Sequence, residues 1–153
     1  YIYLDYNKQI NISNIICNSV ECRKKSLFFT KLTALFVILY EISMKDNISV
    51  ILCIFIYSGL YGLVYTNTKY IIHYVYALIS FFSILMYMIY FSYKYNHNIL
   101  YFLLLIQIFI FEIMAIELMI DLKKAKIFIQ EVIFIFIFFI FYILNYFFKL
   151  YFS

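Results

Sequence analysis

Proline and tryptophan are absent from this 153-residue chain, and glycine occurs only twice, at Gly59 and Gly62. With so little glycine there is no Walker, Rossmann or nucleophile-elbow pattern, which excludes catalysis of the soluble type. Charge is scarce too. Asp, Glu, Lys and Arg make up 13% of the chain, against about 25% in soluble domains, which excludes an ordinary soluble fold. The three cysteines, Cys17, Cys22 and Cys53, are an odd number at spacings that match no zinc or cluster site, so neither a disulfide framework nor a bound metal is expected. The net charge of +4 sits at the ends of apolar runs rather than in an aromatic-interleaved patch, and nucleic-acid binding is not expected.

What fills the chain instead is Ile, Phe, Leu and Tyr: 67% of residues are hydrophobic and 24% aromatic, and the mean hydropathy is +0.96. Such a residue set is what an extremely A+T-rich genome supplies, and it points to a mitochondrial or comparably reduced genome and a mitochondrial inner-membrane protein. Five apolar runs, 27–44, 48–65, 70–93, 99–120 and 127–148, reach or approach the ~20 residues needed to cross a bilayer. The expected fold is therefore an all-α, polytopic transmembrane bundle over 27–153, with short connections that make neighbouring helices antiparallel. Residues 1–26 are polar and read as an extramembrane N-terminal arm rather than a secretory leader. The first span is the weakest, because Lys31 and Glu41 fall inside it, near enough to its ends to snorkel to the interface.

Lysine and arginine set the expected orientation. Arg23, Lys24, Lys25, Lys69, Lys123, Lys124 and Lys126 fall on one face, against Lys45, Lys94 and Lys149 on the other. In a mitochondrion the first face is the matrix, which places the N-terminal arm there. Tyrosines at span ends, Tyr65, Tyr70, Tyr93 and Tyr146 among them, suit an interfacial aromatic belt.

The stretch that most needs a reason is LYFLLLIQIFIFEIMAIELMID, residues 100–121. Glu112 lies just past the middle of the fourth span, about 4 Å beyond it at the 1.5 Å helical rise. An ionised carboxylate there costs at least about 2.5–3.5 kcal/mol, so it persists only with a partner, water or a proton. Glu117 is closer to the basic face, and Asp121 lies at the boundary beside Lys123 and Lys124. Glu112 and Glu117 look in directions about 140° apart, so the acids form a ladder in depth. Glu112, Glu117 and His73 are the proton-relay candidates. The competing reading is that Glu112 only fixes helix packing, that Glu117, Glu131 and Asp121 pair with Lys123, Lys124 or Lys126, and that His73 merely satisfies a hydrogen bond near Tyr74, Tyr76 and Ser80. Gly59 and Gly62 are packing residues that let a neighbouring helix approach.

The run Gly59-Leu60-Tyr61-Gly62-Leu63-Val64 resembles the end of the first helix of NADH-ubiquinone oxidoreductase chain 4L, the small three-helix membrane-arm subunit of respiratory complex I. That family often shows Gly-Leu-x-Gly-Leu there, then a short turn, a second helix, a loop, and a third helix with a buried Glu and a basic end. Residues 65–69, 70–93 and 99–124 follow that order, with Glu112 at close to the expected distance. The resemblance covers about half the chain, from Ile48 to Lys124. It departs from the family near Ala77, where a second buried Glu is missing, and in the flanking spans. Tyr74-Val75-Tyr76-Ala77-Leu78 bears a weaker resemblance to chain 6 of the same complex, which has five helices.

The resemblance implies a subunit that contributes to proton translocation coupled to electron transport. It would catalyse nothing alone, bind no cofactor by itself, and be surrounded by lipid and other hydrophobic subunits of a large respiratory complex. The alternative is a structural transmembrane subunit of cytochrome oxidase or ATP synthase, with its acids paired and inert.

Overall fold

The computed structural model describes residues 20–66, 71–120 and 128–152. Within them the chain forms five α-helices and no strand: α1 Val20–Ser43, α2 Asn47–Tyr65, α3 Ile71–Tyr95, α4 Asn98–Ile120 and α5 Phe128–Phe152. All five are long and apolar enough to cross a membrane. The shortest has 19 residues and the longest 25, about 28 to 38 Å of helix, against roughly 30 Å of hydrocarbon. The protein is a multi-pass membrane protein.

Helix ends differ from the expected spans where polar residues are helical without being apolar. α1 begins at Val20 rather than Leu27, since Glu21 and Lys25 pair at 2.7 Å one turn apart and carry the helix through the charged stretch. At the other end of the chain, α5 continues to Phe152 instead of stopping at Phe148, because Asn145 and Lys149 turn inward on the face that also holds Phe141.

The connections are tight. After α1, Lys45 takes the left-handed conformation (φ 54°), and Asp46 caps α2 by accepting the Ser49 N–H at 3.2 Å. After α3, Asn96 does the same (φ 47°), a conformation that asparagine tolerates better than most residues. His97 then opens α4: its carbonyl accepts from Leu100 N at 3.0 Å and its ring Nδ1 accepts from Ile99 N at 3.3 Å.

The described residues fall into two compact units, 20–87 and 88–152, divided within α3. In the first, α1 lies along α2, with Lys31 Nζ 5.4 Å from the centre of the Tyr61 ring. α2 in turn meets α3 at its glycines. A Cβ on Gly59 would stand 2.7 Å from Ser80 N, and one on Gly62 would strike the ring of Tyr76. Only a residue without a side chain permits backbones this close. In the second unit α4 lies along α5, with Phe134 and Phe141 fully buried and the Phe111 and Phe134 rings 6.4 Å apart.

Much of the remaining surface is apolar: Phe28, Phe36, Phe102, Leu105, Phe109, Phe136 and Phe139 are all more than half exposed. In water this would be an aggregation-prone surface; in hydrocarbon it is an ordinary one.

Candidate functional site

The first unit holds a carboxylate at the junction of three helices. Glu41, in the last turn of α1, is 0% exposed. Its Oε2 lies 2.6 Å from Ser49 Oγ, in the first turn of α2, and its Oε1 accepts from Tyr87 OH of α3 at 3.0 Å. Snorkelling to the interface, the expectation for this residue, is corrected: two hydroxyls aimed inward satisfy the carboxyl more fully than an apolar helix end would. Asp46, the α2 cap, is also buried beside this junction. Only the presence of an acid inside the first apolar run marked Glu41 in the sequence, and nothing there showed which way it turned.

His73 lies in the first turn of α3 and is buried. Its Nδ1 is 3.2 Å from Thr66 Oγ1, and that hydroxyl also reaches Gly62 O at 2.6 Å. A hydroxyl has one hydrogen. Given to the Gly62 carbonyl, it leaves the Thr66 oxygen to accept from His73, which assigns the proton to Nδ1. The ring of Tyr74 meets His73 edge-on at 5.8 Å. His73 thus ties the end of α2 to the start of α3 within the first unit, whereas Glu112 and Glu117 belong to the second.

The second unit carries the acids of the fourth span. Glu112 stands on an exposed face of α4 and makes no hydrogen bond or ion pair among the described residues. Glu117 is half-buried and accepts from Gln130 Nε2 of α5 at 2.9 Å. Glu131 is buried in the first turn of α5. Asp121, and Lys123 and Lys124, the lysines expected to pair with these acids, lie outside the described residues.

Three further polar groups of this unit were not among the expected site residues. Gln107 is 0% exposed near the middle of α4 and donates from Nε2 to the Phe134 carbonyl of α5 at 3.0 Å, while its Oε1 has no partner among the described residues. Asn145 and Lys149, one turn apart on α5, are both buried, with Lys149 Nζ 4.4 Å from the centre of the Phe91 ring. An ammonium over an aromatic face is a recognised way of holding that charge in apolar surroundings. The spacing of Phe134, Phe141, Asn145 and Lys149, at about two turns and then one turn each, is the signal that could have shown their common inward face.

Among the described residues no group of three or more His, Cys, Asp or Glu is placed to hold a metal ion. Cys53 is buried in α2 and Cys22 exposed on α1. Chemically the arrangement offers protonatable carboxyls within apolar helices: one enclosed at a junction of hydroxyls, Glu41, and one open on the outer face of α4, Glu112. Compared with protein-family models, with curated proteins and with solved structures, the chain matches none.

Proposed function

We propose that the chain is a membrane-arm subunit of mitochondrial complex I, resembling chain 4L, and that Glu112 contributes to a water-and-carboxylate path for protons across the inner membrane. The observation that carries this reading is the carboxyl of Glu112, open just past the middle of α4, while Gln107 and Glu117 of the same helix bond to α5. Ionisable residues at that depth oppose insertion, are rare, and mark a functional site by default. A single carboxyl alternates between holding and releasing a proton without any cofactor, which suits a subunit whose redox chemistry resides elsewhere.

The order of features supports the same assignment. The Gly59–Gly62 pair closes α2 against α3, and Glu112 follows on α4. In this reading the Lys- and Arg-rich face is the matrix side, the N-terminal arm lies in the matrix, and other hydrophobic subunits cover the apolar faces.

The test is a native-gel separation of inner-membrane complexes, with mass spectrometry of the band that contains this chain. Co-migration with the flavin and iron-sulfur subunits that oxidise NADH is the expected result. Co-migration with haem-copper or rotary-ATPase subunits would reject the assignment and make the chain a structural subunit of that assembly.

A further inference from the structure

Six residues of α4, Phe102, Leu105, Phe109, Glu112, Ile116 and Met119, follow one another at intervals of three or four and so share one face of the helix. All six are exposed, Leu105 by 66% and Phe109 by 62%. The opposite side of the helix is engaged within the chain, where Leu104, Gln107, Ile110 and Met114 are buried. The open stripe is about 26 Å long at 1.5 Å per residue, most of the thickness of the hydrocarbon layer. Its one polar group stands near its middle, where lipid offers nothing to bond to.

We propose that this stripe is the docking seam for a membrane-spanning helix of a different chain, which places a lysine or arginine at the depth of Glu112. Charge complementarity selects the partner. A carboxylate in hydrocarbon is matched best by a base that donates hydrogen bonds and cancels its charge. Reach selects it as well. The stripe has no Gly, Ala or Ser to let backbones close, and Phe109 and Ile116 flank Glu112 and hold a neighbouring helix at a distance. A lysine or arginine stem spans such a gap while lying along apolar surface.

A second copy of this chain fits poorly. Across a two-fold axis the same patch meets itself, so Glu112 would face Glu112, two short side chains kept apart by the same bulky neighbours. The inference stands on the chain crossing a membrane and is independent of the complex I assignment.

The experiment places photoreactive benzoylphenylalanine at position 109 of the full chain in its native membranes and identifies the adduct by mass spectrometry. The expected adduct is on a transmembrane helix of another chain, with a Lys or Arg within about one turn of the attachment point. Glu112→Leu should then lower the adduct yield about tenfold, a loss of about 1.4 kcal/mol in association. Leucine suits an apolar span, so failed insertion does not mimic this loss. Glu112→Lys combined with replacement of the partner's base by glutamate should restore the yield.

Adducts on lipid alone, on a second copy of this chain, or on a helix without a nearby base would overturn the proposal, as would failure of the charge exchange to restore the yield. An adduct on a base-carrying helix from outside an NADH-oxidising complex would uphold the seam and remove the complex I assignment.

Discussion

Glu41 shows how a membrane protein holds an acid without exposing it. Its two oxygens face the hydroxyls of Ser49 and Tyr87, brought from two other helices, so the carboxyl serves as a tie among α1, α2 and α3. Tyr87→Phe removes one of these partners and leaves a buried acceptor unmatched, which should lower stability by about 1–3 kcal/mol. Thermal unfolding of the purified chain in detergent reads this directly, and an unchanged midpoint would show that the Tyr87 hydroxyl contributes nothing. The glycines make a second comparison at this scale. A methyl on Gly59 meets the Ser80 backbone, which cannot rotate away, whereas one on Gly62 meets the Tyr76 ring. Gly59→Ala should therefore cost about 1–3 kcal/mol through overpacking and resist rescue from a side chain. Gly62→Ala should be rescued by Tyr76→Ala. The same unfolding assay ranks the three variants.

At the scale of elements, the α1–α2 turn is fixed by a few polar contacts. Asp46 accepts the Ser49 amide, and its own carbonyl accepts from Val50 N at 3.1 Å as the first hydrogen bond of α2. Asp46→Ala should cost about 1 kcal/mol, the ordinary value of an N-cap, while Asp46→Asn should cost little. Equal losses in the two variants would mean that the charge of Asp46, rather than its capping geometry, is what stabilises the turn. Two hydroxyls of these helices are satisfied locally: Thr33 donates to Phe29 O at 2.9 Å and Ser58 to Phe55 O at 2.9 Å, the usual course for such groups inside apolar helices.

For the molecule as a whole, the existence and number of the membrane-length helices among the described residues were legible in the sequence. Long apolar runs without proline can satisfy their backbone in hydrocarbon only as helices or closed barrels, and runs of this length suit helices. The rotation of each helix about its axis was not legible. In a soluble helix the contrast between polar and apolar positions marks the inward face, but here both faces are apolar and the contrast vanishes. This is why Glu41 was expected at the interface and is enclosed, and why the turn of Glu112 to the outer face of α4 could not be read from its neighbours. Lys149 was legible only as a charge on the less basic side of the membrane, and its inward turn over Phe91 was not. The candidate acids could be named from sequence because charge is rare in these spans; their partners could not, since those depend on helix rotation and on the antiparallel register that sets Glu117 against Gln130.

The central claim is that Glu112 carries protons, and the most direct measurement is proton uptake per NADH oxidised in inner-membrane vesicles that contain Glu112→Gln. Glutamine keeps the shape and a hydrogen-bonding oxygen but does not titrate near neutral pH. The account predicts that the variant chain still assembles into its complex, as judged on a native gel, and that proton translocation is abolished. Assembly with unchanged translocation would contradict it and leave Glu112 as a packing residue.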